Sequence, residues 1–171
     1  MRWILGIFSA LIVLTLIAYL AGMMIPAEQT HVRTLTLAQP PEKVFAALAD
    51  IPNMPGWNHS LEKVEMLPPV DGKEVSRQTF KSGMVMEVTT TQSVPPRHLV
   101  RTMGDSGGPF VGSWSYEITP ENNGSMIVLT EHSTMKEAMF RVLSQLFGPT
   151  KYMDEHLRDL AAHFGERAVI R

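Results

Sequence analysis

MKEAMFRVLSQLFGPTKYMDEHLRDLAAHF, residues 135–164, is the stretch whose reading decides the fold. Apolar side chains recur in it at Met139, Leu143, Leu146, Met153, Leu157, Leu160 and Phe164, stepping by three and four except where Thr150 takes one place. Glu137, Arg141, Ser144, Glu155, Arg158, Asp159 and Glu166 lie opposite. That spacing predicts a helix with one apolar stripe and one wet face. Gly148-Pro149 interrupts it, because proline has no N–H to give and its ring presses on the carbonyl of Gln145, so a kink or a split into two segments is expected. A helix of this kind needs a concave apolar partner, which the chain before it must supply.

The 171 residues suffice for one domain of ordinary size beside a targeting segment. Lys+Arg number 15 and Asp+Glu 17, with no basic run, so the electrostatic footprint of a nucleic-acid binder is missing. With no cysteine, disulfides, thiolate catalysis and Cys-based zinc sites are excluded. No cofactor is expected.

Working outward to the start, residues 3–25, WILGIFSALIVLTLIAYLAGMMI, carry no charge. At ~1.5 Å per residue such a run is long enough to cross a hydrocarbon layer of ~30 Å. A cleaved signal peptide is the rival reading, but its apolar region would run ~7 to 15 residues, and a small-x-small cleavage pattern is poor here. Residues 1–27 are therefore expected to be a signal anchor with its tether, and 28–171 the folded domain. Arg2 before the span, against only His31, Arg33 and Glu28 soon after it, places the bulk of the chain outside the cytoplasm, periplasmic if the cell is Gram-negative. No second apolar run follows, so the expectation is a single-pass protein.

Between anchor and terminal helix the pattern has period two. Residues 31–38 alternate as a first strand, and Pro40-Pro41 stops it. Glu42, Val44, Phe45 and Leu48 predict a short amphipathic helix, followed by a turn-rich piece through Pro52, Pro55 and Trp57. Strand-like runs follow at 61–67, 74–80, 84–94, 98–103, 112–119 and 125–135, punctuated by Asp71-Gly72, Ser82-Gly83, Pro95-Pro96 and Asn123-Gly124. Connections this short imply antiparallel neighbours. In the run 112–119, Trp114, Tyr116 and Ile118 share one face while Ser113, Ser115, Glu117 and Thr119 share the other, so one sheet face is apolar and must be covered. The fold class is α+β: a curved antiparallel sheet of about seven strands gripping the long C-terminal helix.

This order resembles the helix-grip superfamily of START lipid-transfer domains, the major birch pollen allergen, polyketide cyclases and aromatases, the SRPBCC group. The strand running into Ala38-Gln39-Pro40-Pro41-Glu42-Lys43-Val44-Phe45, then Leu48-Ala49-Asp50 and Met54-Pro55-Gly56-Trp57, carries the likeness at one end. Gly112-Ser113-Trp114-Ser115-Tyr116-Glu117, an Asn-Gly hairpin, Phe140-Arg141 and the segment from Leu157 to Gly165-Glu166 carry it at the other, where it is similar to the membrane-anchored bacterial members. The resemblance spans His31 to Glu166 and implies a deep cavity between sheet and helix for a lipid, isoprenoid or polyketide-like molecule. It carries no invariant catalytic set.

Residues expected to face such a ligand are Val44, Leu48, Met54, Trp57, Met84, Met86, Val88, Trp114, Tyr116, Met139, Leu143, Leu146, Met153 and Leu157. Methionine is flexible and polarizable, which suits a wall that accepts varied apolar shapes, although core filling explains any single one. Polar candidates are Arg101, Glu131, His132 and Tyr152, with Arg101 or Arg141 able to orient a carboxylate or phosphate and equally able to be surface charges. Glu131 and His132 are adjacent in one strand, so only one faces inward. The functional expectation is membrane-tethered binding of a hydrophobic small molecule. The alternatives are a cyclase or dehydratase on the same scaffold, which needs a convergent polar pair in the cavity, and a protein-interaction module with no ligand, whose partner the sequence does not name.

Two motifs are weighed against blander readings. Gly104-Asp105-Ser106-Gly107-Gly108-Pro109 reproduces the nucleophile signature of chymotrypsin-like proteases, yet Ala161-Ala162-His163 follows the serine instead of preceding it, so a glycine-rich loop at the sheet's rim, a gate for the cavity, is the better reading. His156, Asp159 and His163 fall roughly on one helical face without a third ligand in sight, which reads as solvated surface and no metal site.

Overall fold

The structure is a computed structural model describing residues 2–104 and 110–171. Helix α1 (Arg2–Met24) leads into β1 (Glu28–Leu37), with only residues 25–27 between them. Then come α2 (Pro41–Ala49), a short 3₁₀ helix (Ile51–Gly56), and the strands β2 (Leu61–Val70), β3 (Lys73–Phe80), β4 (Val85–Val94), β5 (His98–Met103), β6 (Phe110–Glu121) and β7 (Gly124–Met135). Helices α3 (Ala138–Phe147) and α4 (Lys151–His163) close the chain. The seven strands form one antiparallel, curved sheet in the order β1-β7-β6-β5-β4-β3-β2. Every neighbour except the β1–β7 pair is joined by a short connection, and the first strand closes the order beside the last.

The local chemistry explains these boundaries. Pro41 takes the first position of α2, where its missing N–H costs nothing, and Glu42 sits in the first turn, where the helix dipole favours an anion. Val44, Phe45 and Leu48 on its inner face are buried. Asp71 and Gly72, both with positive φ, make the β2–β3 turn. The expected long terminal helix is two helices: Gly148 takes φ 92 and Pro149 follows it, which ends α3 before α4 begins.

Along β7 the buried residues are the odd-numbered ones from Ser125 to Met135. They share a face with Leu35 and Leu37 of β1, Leu99 of β5, and Tyr116 and Ile118 of β6, and α2 and α4 cover that face. Helix α4 presents Met153, His156, Leu157, Leu160 and Ala161, a stripe at three and four residue spacing. Arg33 ties it to β1 through Asp154 at 2.9 Å and the Thr150 hydroxyl at 2.6 Å. The chain's last residues return to the open side of β1, where Thr34 and Arg171 exchange both backbone hydrogen bonds.

Candidate functional site

The covered face of the sheet carries one row that is not apolar. Arg101 on β5 stands opposite Trp114 on β6, and Trp114 opposite Glu131 on β7. Glu131 therefore faces inward and His132 outward, which resolves the choice between them. Glu131 is 8% exposed, and its Oε2 accepts the Trp114 indole N–H at 2.7 Å. His132 lies on the opposite face, its Nδ1 2.9 Å from the Thr30 hydroxyl.

Arg101 is buried, 4% exposed. Its Nη2 donates to the Leu48 carbonyl at 2.6 Å, in the last turn of α2, and Nη1 approaches the Met54 sulfur at 3.6 Å. The guanidinium thus sits at a helix C-terminus, where the dipole favours a cation. Its Nε has no partner, and no carboxylate among the described residues lies within 4.0 Å. Burial lowers its pKa, against the raising influence of Tyr116 and Glu74. Arginine keeps its proton even so, and the result is a buried cation met, among the described residues, by neutral acceptors alone, a costly arrangement in an interior.

Beside it lies a relay of neutral polar groups. The Tyr116 hydroxyl is 3.1 Å from His156 Nε2, and Asn58 Nδ2 is 3.2 Å from His156 Nδ1. Asn58 Oδ1 is taken by the Ser60 hydroxyl and backbone N–H, which fixes the amide so that its NH₂ faces the imidazole. Nδ1 is then an acceptor, and Nε2 carries the proton given to Tyr116. Burial first, and the Arg101 charge second, push the His156 pKa down to about 3, opposed by Asp159. Burial likewise raises Tyr116. The Trp57 and Trp114 rings flank the imidazole with centroids at 5.3 and 5.2 Å.

The structure places the expected ligand-facing residues unevenly. Val44, Leu48, Met54, Trp57, Val88, Tyr116, Met153 and Leu157 are buried, while Met86, Trp114 and Met139 are half-buried. Met84 is in the turn before β4 and exposed, because the strand begins one residue later. Leu143 and Leu146 are also exposed, since the break at Gly148 frees α3 from the stripe of α4. Tyr152 is 59% exposed on the outer side of α4 and is removed from the polar candidates. His156, read as solvated surface, is instead at the centre of the interior; it precedes Leu157 and follows Met153 by three, so the stripe that carries those two carries it as well. Asn58 went unremarked because a lone Asn after a tryptophan has no signal of its own. Asp159 and His163 do lie toward solvent, Asp159 holding the His59 backbone N–H and ring at 2.7 Å each.

Two depressions formed by described residues lie elsewhere. One, about 330 Å³, opens on the outer sheet face between Thr30, Thr102, Ser113 and His132. The other, about 300 Å³, is at His59, Glu155 and Arg158. A deep cavity between sheet and C-terminal helices is not one of them: the covered face is packed by Trp57, Tyr116, Leu129 and Leu157 among others. Among the described residues no three His, Asp or Glu side chains cluster as a metal site. Asp105 to Pro109, the protease-like motif and the loop read as a gate, lie outside the described residues.

Among solved structures the chain is similar to the ZhuI aromatase/cyclase from Streptomyces sp. R1128, with 18% identity over 80% of this chain and 93% of that one and a TM-score of 0.65. The di-domain aromatase/cyclase StfQ of the steffimycin pathway gives 12% identity over 80% of this chain and 50% of that one, TM-score 0.66. A conserved protein from Geobacillus kaustophilus gives 14% identity over 84% and 99%, TM-score 0.64. Likeness at such identities is likeness of fold. No curated protein matches the chain. The family described as polyketide cyclase / dehydrase and lipid transport matches residues 29–165. The helix-grip sheet, its α2 and α4 cover and that match together make this chain a member of the polyketide cyclase / dehydrase and lipid transport family.

Proposed function

We propose that this protein is a membrane-tethered binder of a hydrophobic small molecule with an acidic head group, held between the sheet and the C-terminal helices. The observation that carries the reading is Arg101, a buried cation on the covered sheet face with an idle Nε and, among the described residues, no carboxylate partner. A ligand carboxylate or phosphate completes such a group, since a charge-assisted bond in a dry interior is about twice as strong as a neutral one. Met54 stands against the guanidinium and Met86 and Val88 lie on the neighbouring strand β4, and the family description names lipid transport. The described residues between sheet and helices are closely packed, and in this reading the Gly148-Pro149 break between α3 and α4 is the hinge of a wall that moves for uptake. Residues 3–25 are the tether, 1–27 the anchor unit and 28–171 the binding unit, with the bulk outside the cytoplasm. The support for the tether is α1, whose stretch Gly6–Met24 has mean hydropathy 2.3.

The test is a titration of full chain in nanodiscs with a fluorescent polyene fatty acid and its methyl ester. The acid is expected to bind at least tenfold more tightly, and Arg101→Met to erase the difference. Equal affinities for acid and ester in the unaltered protein overturn the role given to Arg101.

A second reading has its own observation. Tyr116, His156 and Asn58 are hydrogen-bonded together in the covered interior with the Arg101 charge close by, a polar cluster of the kind a cyclase or dehydratase acting on a polyketide-like chain needs, and the ZhuI and StfQ structures are named aromatase/cyclases. In this reading Arg101 holds a carbonyl or enolate oxygen and Tyr116 exchanges the proton. Loss of water from a β-hydroxyketone probe, followed by absorbance and abolished by Tyr116→Phe with binding retained, selects it over simple binding.

A further inference from the structure

Helix α3 is amphipathic with its apolar half largely unused. On a helical projection Met139, Phe140, Val142, Leu143, Leu146 and Phe147 occupy one half of the circumference, and Arg141, Ser144 and Gln145 the other. Phe140 is 51% exposed, Leu143 40%, Leu146 74% and Phe147 71%, four large apolar side chains on ten residues. Ala138 is buried, and what buries it is α1. Built onto Gly22, a Cβ would stand 2.2 Å from the Ala138 carbonyl oxygen and 3.0 Å from Val142 Cγ2. The two helices therefore touch at backbone distance, two residues before α1 ends at Met24.

That contact fixes the height of α3 relative to the proposed span. At ~1.5 Å per residue α1 is ~35 Å long, a little more than a hydrocarbon layer of ~30 Å, so its last turn lies at the headgroup boundary. Whatever touches Gly22 lies there too. A soluble domain rarely leaves so much contiguous apolar surface uncovered, whereas an amphipathic helix at a bilayer boundary requires it.

We infer that α3 is an interfacial helix, burying Phe140, Leu143, Leu146 and Phe147 in the outer layer of the same bilayer that α1 crosses. The inference rests on the membrane-tether reading and goes beyond it: the domain does not hang from a flexible leash but is held against lipid at two places. It also gives the exposed Leu143 and Leu146 an occupant other than the interior ligand. Lipid is favoured over a protein partner because α3 is continuous, through Gly22, with a helix whose remaining surface has the composition of a span.

The natural absence of cysteine makes the test direct. Single cysteines replace Val13 in α1, Leu146 or Phe147 in α3, and Lys73 at the start of β3, beside the edge strand β2, each carrying a bimane label. The full chain is reconstituted in phosphatidylcholine vesicles with or without brominated acyl chains. The expected result is strong quenching by brominated lipid at Val13→Cys, clear quenching at Leu146→Cys and Phe147→Cys, and none at Lys73→Cys. If Val13→Cys is quenched but the α3 labels are not, α3 docking is overturned while the span stands. If Val13→Cys is itself unquenched, the tether fails and α3 docking with it. Labels on α3 that are shielded from water yet untouched by brominated lipid identify a protein cover and overturn the lipid assignment.

Discussion

The Tyr116 hydroxyl and the His156 Nε2 meet at 3.1 Å, one side chain from the middle of β6 and the other from α4, both sealed from water. This contact joins the sheet to the helix that grips it, and it does so through an imidazole that must stay neutral. Unfolded, His156 accepts a proton near pH 6.5; folded, it resists until about pH 3. The unfolded state then binds the extra proton throughout that window. Stability from this group is complete above about pH 6.5 and declines as pH falls toward about 3, by about 1.4 kcal/mol per unit. Between pH 7 and pH 5 the loss is about 2 kcal/mol. Urea unfolding of the full chain in detergent at the two pH values measures it, and His156→Gln, which cannot titrate, is expected to remove that share.

Tyr116→Phe leaves the ring and its packing in place and deletes only the oxygen. The His156 Nε2–H is then a buried donor without its acceptor, a loss of about 1–3 kcal/mol in unfolding free energy. Pairing the substitution with His156→Leu removes both partners, and the double variant is expected to cost less than the sum of the two single ones. A strictly additive result would mean that the 3.1 Å contact contributes nothing.

Arg101→Met is expected to behave in the opposite way. It deletes the bond to the Leu48 carbonyl but also removes a buried cation that no carboxylate among the described residues neutralises, and replacing such a charge by an apolar chain of similar length is often neutral or stabilising. Unfolding stability should therefore hold within about 1 kcal/mol or rise. Because the Arg101 charge helps hold His156 neutral, the same variant should raise the His156 pKa above its value of about 3, which imidazole NMR shifts would follow. A large destabilisation would make Arg101 a structural cap for α2 first and a ligand group second.

These contacts also show which parts of the structure were legible in the sequence. The strands, most of their turns and the covering helices follow from period two, Asp71-Gly72 and the Met153, Leu157, Leu160 stripe, because burial writes itself into apolar spacing, whereas the turn expected at Asn123-Gly124 falls one residue earlier, on Asn122 and Asn123, with Gly124 already in β7. The break at Gly148-Pro149 was legible as chemistry, and its consequence, exposed Leu143 and Leu146, was not, because pattern alone does not say that the two segments turn different faces inward. Polar interior groups were the harder case. His156 and Asn58 satisfy one another in three dimensions, and apolar periodicity passes over a residue whose burial depends on partners from β6 and the loop after the 3₁₀ helix. Glu131 and His132 needed the register, since Met126 to Leu129 before them are apolar on both sides.

The Trp114 indole bond to Glu131 separates charge from hydrogen bonding. Glu131→Gln keeps an oxygen acceptor at the same place and is expected to cost less than about 1 kcal/mol, whereas Glu131→Leu strands the indole N–H and costs about 1–3 kcal/mol. Thermal or urea unfolding of the two variants beside the parent checks this. Equal losses for both would show that the carboxylate charge, and not the bond, matters to the fold.

Gly72 and Gly124 sit in two hairpins for different reasons, and substitution can tell them apart. Gly72 has φ 72 with nothing within 4 Å of where a Cβ would stand, so its requirement is the left-handed backbone. Asparagine tolerates that region, so Gly72→Asn should unfold close to the parent while Gly72→Val loses about 1–2 kcal/mol. Gly124 is needed for approach: a Cβ there would stand 1.9 Å from the Leu37 carbonyl oxygen and 2.8 Å from Ala38 Cα, both backbone atoms that cannot swing aside. Any side chain has to push the β6–β7 turn off the end of β1. Gly124→Ala and Gly124→Asn are therefore expected to be alike, each costing about 1–3 kcal/mol as an overpacked site does. Rescue by asparagine at position 72 together with no rescue at position 124, read from urea midpoints, is the expected pattern. Rescue at both would mean that backbone conformation alone governs the two turns, and that β1 yields to the hairpin more readily than these distances allow.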